Sequence, residues 1–154
     1  MTHKEQLIQR TREYLDSQNW HYELMGEENG HFIIRMGLHN RLQRCTMLIV
    51  VNEKEIQTAA VSPISATEDV YADVVEYITR ANHGLKIGKF EFDYEDGEVS
   101  YQSSLSCIQS VPDIKDVERV VDMPFLMLER YGNGLVKNLM GFGNPKEDIR
   151  EVEG

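Results

Sequence analysis

Residues 79–105, TRANHGLKIGKFEFDYEDGEVSYQSSL, constrain the fold more than any other part of the chain. Ala81-Asn82 close an amphipathic run, and Gly84 falls where a helix needs a left-handed cap, a conformation that glycine adopts without a Cβ clash. Gly88, Phe90, Phe92 and Tyr94 then alternate with Lys89, Glu91 and Asp93, the period-2 pattern of a half-buried strand. Asp96-Gly97 predicts a two-residue primed turn. Val99, Tyr101, Ser103, Leu105 and Cys107 resume the alternation beyond it. A helix end, a glycine, a strand, Asp-Gly and a second strand make a helix–hairpin unit.

The flanking sequence supplies more strands and a helix at each end. Thr2 with Glu5 forms a capping box, and Leu7, Ile8, Thr11, Tyr14 and Leu15 share one helical face. Trp20, Tyr22 and Leu24 begin a strand, and 26–30 is a polar turn. Phe32, Ile34, Met36 and Leu38 mark a second strand. Residues 42–52 form a long third strand whose Met47-Leu48-Ile49-Val50-Val51 is apolar on both faces, so it is expected to be covered on both. A weaker fourth strand spans 56–61. Thr67 is placed to cap a second helix carrying Tyr71, Val74, Val75 and Ile78. Asp113 caps the last helical region, in which Pro124 and the run Gly132-Asn133-Gly134 predict two segments or a bend. The order is α-β-β-β-(β)-α-β-β-α. This is an α+β fold, an antiparallel sheet with helices on one face. The expected division is one domain over 1–144 and a charged, mobile tail over 145–154.

At 154 residues a single core is large enough to need no staples. The net charge of −10 repels phosphate and anionic lipid, so nucleic acid and membrane surfaces are excluded as partners. No run approaches a membrane span, and the start, MTHKEQLIQRTREYL, lacks the apolar stretch of a signal peptide. The chain is expected to be cytoplasmic, with Cys45 and Cys107 as buried thiols.

Chemistry-bearing patterns are few. No HExxH, CxxC pair, GxxxxGK[ST] or GxSxG occurs. His3, His21, His31, His39 and His83 have no ligand spacing, although His21, His31 and His39 fall near neighbouring strands. Carboxylates at Glu27-Glu28 and around Asp93 and Asp96 read as turn residues. No cofactor and no metal is expected. A dispersed enzyme site would draw on His31, Cys45 and Asp93. A small-ligand pocket would draw on Met36, Met47, Phe90 and Tyr101. Arg35, Arg41 and Arg44 make a basic spot at one hairpin, suited to a carboxylate or an acidic partner segment.

The stretch RANHGLKIGKFEFDYEDGEVSYQSSL resembles the signature region of the YbjN-like family, candidate bacterial sensory transduction regulators. Ala81, Asn82, Leu85, Gly88, Phe90, Asp93, Gly97, Val99 and Tyr101 carry the likeness. The resemblance implies a type III secretion chaperone-like fold, usually paired as a homodimer, and implies no catalytic residues. Together these readings favour a non-enzymatic protein-interaction module, chaperone-, adaptor- or regulator-like, working as a homodimer. A small-ligand sensor is the alternative.

Overall fold

The computed structural model describes residues 1–26 and 30–154. Helix α1 (His3–Ser17) opens with the expected capping box: the Thr2 hydroxyl accepts the Glu5 N–H at 3.1 Å, and the Glu5 carboxylate accepts the Thr2 N–H at 3.2 Å. Strands β1 (Glu23–Met25), β2 (His31–Gly37), β3 (Arg44–Val51) and β4 (Glu55–Val61) follow. A 3-10 turn (Glu68–Val70) leads into α2 (Tyr71–Asn82). Then come β5 (Lys89–Phe92), β6 (Val99–Ser106), α3 (Ile114–Leu139) and α4 (Pro145–Glu153). All strand pairs are antiparallel in one six-stranded sheet of order β1-β2-β3-β4-β6-β5. The protein is α+β.

Alternation puts Phe32, Ile34, Met47, Ile49, Ile56, Ala60, Phe90 and Tyr101 on the face that the helices cover, each at most 3% exposed. Helix α3 lies on β6, β4 and β3, with α1 and α2 against it. Rings of Phe90, Tyr101, Tyr131 and Tyr77 continue the core from sheet to helices in edge-to-face contacts, Phe90–Tyr101 at 4.9 Å and Phe90–Tyr131 at 5.6 Å.

Several expectations are corrected. The first strand begins at Glu23, and Trp20 packs edge-on between Tyr14 and Phe125 as part of the helical layer. The turn expected over 26–30 includes 27–29, which lie outside the described residues. Thr67 makes no backbone cap, and its hydroxyl donates to the Asp69 carboxylate instead. Six residues, 93–98, connect β5 to β6, and only Gly97 among them has positive φ. Asp93 and Asp96 accept the N–H groups two residues on, at 2.8 and 2.9 Å, and so wind a longer loop than a primed turn.

The last helical region is one continuous helix through Pro124 and Gly132. Pro124 has no N–H for the carbonyl of Val120. The buried Ser103 hydroxyl on β6 donates to that carbonyl at 2.6 Å, so the vacancy is filled from the sheet. Gly132 and Gly134 are sites of close approach. The Asn40 amide donates to Leu128 O at 2.9 Å and Glu129 O at 3.0 Å, and a Cβ on Gly132 would strike that amide. A Cβ on Gly134 would strike the Tyr77 ring, whose hydroxyl donates to Tyr131 O at 2.7 Å.

The expected tail is also replaced by structure, since residues 145–153 are helical. Asn144 caps α4, and Ile149 is 8% exposed against α2 and α3. Buried Asp148 accepts from the Asn138 amide at 3.0 Å and from the Asn144 N–H at 2.8 Å.

Candidate interaction surface

Every helix among the described residues sits on one side, so none of them covers the other face of the sheet. The register fixes what it presents. Glu23, Ile33, Leu48, Ala59, Gln102 and Lys89 lie in one row across the strands. A second row has Arg35, Thr46, Val61, Ser100 and Glu91, and a third has Met25, His31, Val50, Gln57 and Ser104. Ile33, Leu48, Val50, Ala59 and Val61 therefore form an apolar strip on β2–β4, with Leu48 39% exposed at its centre. The expected covering of Met47-Leu48-Ile49-Val50-Val51 on both faces holds within this chain on one face only: Met47, Ile49 and Val51 are buried, whereas Leu48 is open.

The charges on this face balance. Glu23, Glu55 and Glu91 stand against Arg35, Arg44 and Lys89, on a chain whose total is −10. Arg35 pairs with Glu23 at 2.9 Å and Lys89 with Glu91 at 3.5 Å, all well exposed. Such pairs contribute little to stability, but they leave the face without the repulsion that the rest of the molecule would bring to a neighbour.

Arg35, Arg41 and Arg44 all lie on the β2–β3 hairpin and are exposed. Arg35 and Arg44 share the bare face, on the Arg35↔Thr46 and Gly37↔Arg44 pairs. Arg41 sits in the connecting loop, where its N–H donates to the Asn133 side chain at 2.9 Å.

The residues that carry the resemblance surround the helix–hairpin junction. Ala81 is fully buried, Leu85 is half-buried, and Asp93 and Gly97 shape the loop. The Asn82 amide donates to Phe90 O at 3.0 Å and accepts the Phe90 N–H at 2.7 Å. It thus stands in for a neighbouring strand at the outer edge of β5. Sequence reading missed this role, as it missed Asn40, Asn138 and Asp148. An asparagine closing an apolar stripe was the available signal for Asn82.

The residues expected for other chemistry are separated. His31 is on the bare face at one end of β2. Cys45 is on the helix side near the other end, and Asp93 lies beyond β5. Burial, with Glu129 adding to it, pushes the Cys45 thiol up to about 12. Burial also raises Cys107. Both thiols stay protonated and weakly nucleophilic at neutral pH. The strand register puts them at opposite ends of the sheet. His39 meets Glu129 at 2.9 Å and His3 meets Cys107 O at 2.6 Å, while His21, His31 and His83 are exposed. No group of three His, Cys, Asp or Glu side chains that could hold a metal occurs among the described residues. Met47, Phe90 and Tyr101 are packed core side chains, and Met36 is half-buried beside them. No helix among the described residues is long and apolar enough to cross a membrane.

No family model and no curated protein sequence matches the chain. Among solved structures it is similar to the crystal structure of YbjN from E. coli, a protein proposed to be a transcription regulator. The TM-score is 0.58 at 13% identity, over 79% of this chain and 85% of that one. At that identity the likeness shows a YbjN-like fold.

Proposed function

We propose that the chain is a non-enzymatic protein-interaction module, adaptor- or regulator-like, that works as a homodimer through the bare face of its sheet. The observation that carries this reading is the uncovered strip Ile33, Leu48, Val50, Ala59 and Val61 on a charge-balanced face. Contiguous exposed apolar surface with a polar rim marks association sites. Each 100 Å² of apolar surface removed from water is worth about 2.5 kcal/mol gross. A stable interface needs roughly 800 Å² from each partner, which a sheet face can supply. The charge of −10 also favours protein over DNA as the partner of a regulator with this fold. Arg35, Arg41 and Arg44, on one margin of the face, are suited to a partner's carboxylates.

Light scattering over a dilution series through micromolar concentration tests the pairing. A mass near twice 17.8 kDa that falls on dilution supports it. A constant monomer mass across the series overturns it.

A further inference from the structure

The β5–β6 ladder stops at Lys89↔Gln102, while β6 runs on to Ser106. In an antiparallel pair, alternate residues aim both backbone groups at the same neighbour. The Ser62 N–H donates to Val99 O, and the Cys107 N–H to Lys54 O. Val99, Tyr101, Ser103, Leu105 and Cys107 therefore face β4. The Asp93 N–H donates to Glu98 O, so Ser100 and Gln102 face β5. Ser104 and Ser106 continue that second set. They aim N–H and C=O groups into a lane that β5 does not reach, and no backbone group among the described residues pairs with them there.

The lane is empty because the chain before β5 leaves the sheet. The Tyr101 hydroxyl, on the helix side, donates to Ile87 O. Gly88, at φ +73°, lies so close to β6 that a Cβ would stand 2.7 Å from the Tyr101 ring. An open cleft of about 530 Å³ remains, bounded by Lys86, Gly88, Lys89, Gln102 and Ser104, with one carboxylate, Glu91, in its lining beside Lys89. The outer edge of β5 is closed by Asn82, but among the described residues no side chain bonds the backbone of Ser104 or Ser106 in this inner notch.

We propose that the notch takes an extended segment of a partner protein as an added strand antiparallel to β6, with acidic side chains on either side of an apolar one. Residues opposite Ser104 and Ser106 would point to the bare face, beside Lys86 and Lys89. Lys86 has no ion pair among the described residues, and Lys89 has only the exposed contact with Glu91. The residue between them would point to the helix side, toward half-buried Leu105. Backbone hydrogen bonds supply the affinity in this mode, and the alternating side chains supply the selectivity. The proposal rests on reading the chain as an interaction module, but its surface is separate from the β2–β4 strip.

The probe is an acetylated, amidated pentapeptide, Thr-Glu-Val-Glu-Thr, titrated into the isotope-labelled full chain and followed by NMR. The amides of Ser104 and Ser106 shift and their hydrogen exchange slows. Methylating both glutamate nitrogens removes the donors and abolishes binding, and exchanging both glutamates for lysine weakens it roughly fivefold or more. Ser104→Pro deletes an N–H that serves no ladder bond to β4, so the sheet survives and peptide binding is lost. The methylated peptide tests the same point on the unmodified protein. No shift at millimolar peptide, or equal binding of the methylated peptide, overturns the proposal. So does exchange protection of Ser104 and Ser106 that grows with protein concentration alone, since a second copy would then fill the lane. Peptide binding by a chain that stays monomeric upholds the notch and rejects the sheet-face dimer.

Discussion

Replacing Ser103 by alanine tests how this fold tolerates a proline inside its longest helix. Ser103 is 5% exposed, and its hydroxyl is 2.6 Å from the Val120 carbonyl. Pro124, four residues on, cannot donate to that carbonyl. Ser103→Ala therefore leaves a buried acceptor with nothing to bond, at a cost of about 2 kcal/mol. For a domain of this size that lowers Tm by roughly 4–8 °C. Pro124→Ala restores the missing N–H. In that background the Val120 carbonyl has a helical partner, and losing the serine costs less than about 1 kcal/mol. The coupling in the double-mutant cycle is then about 1 kcal/mol or more. Urea unfolding followed by far-ultraviolet circular dichroism on the four proteins gives the cycle directly. Equal costs of Ser103→Ala in both backgrounds would refute the reasoning.

Other consequences are open to direct measurement. Ile149→Ala should cost about 2 kcal/mol in urea unfolding, because α4 packs Ile149 against α2 and α3; an unchanged midpoint would restore the picture of a mobile tail. Asn82→Ala removes both bonds that close the β5 edge and should cost about 2 kcal/mol with increased aggregation, and a soluble variant of unchanged stability would speak against the edge plug. Burial, with Glu118 adding, raises the Asp122 carboxyl above its usual range against the opposing bond from the Tyr14 hydroxyl. The protonated form then favours the folded state. That contribution is present in acid and lost as pH rises through the raised value. Asp122→Asn keeps an acceptor for Tyr14, so it should melt at or above the parent temperature at neutral pH, with the gap closing in acid. A destabilisation independent of pH would sink that account.

Strand alternation made the sheet legible, since a one-residue shift would have turned Phe90, Phe92, Val99 and Tyr101 out to water. Helices α1, α2 and α3 were legible from their stripes, and α1 and α3 from their caps as well, whereas Thr67 does not cap α2. What failed was the reading of breakers by themselves. Pro124 shows a missing donor, but the group that compensates is Ser103 on another element. Gly132 and Gly134 look like weak helix until Asn40 and Tyr77 arrive against them, which no local pattern announces. Helix α4 was within reach: Asn144-Pro145-Lys146-Glu147 has a cap residue, proline at the first helical position and an acid in the first turn. Its charge concealed the spacing of Ile149 and Val152. Arg35, Arg41 and Arg44 all belong to the β2–β3 hairpin, Arg35 and Arg44 on its strands and Arg41 in the connecting loop. The notch beside β6 was invisible, because it depends on where β5 stops.

Leu48→Glu puts a charge at the middle of the bare face, on a side chain 39% exposed that holds up no core. Sedimentation velocity of this variant beside the parent protein, at matched micromolar concentration, tests the face itself. The parent should sediment as a dimer, and Leu48→Glu as a monomer with an unchanged circular dichroism spectrum. A variant that pairs as tightly as the parent, or a parent that sediments as a single chain throughout, would contradict the assignment of this face.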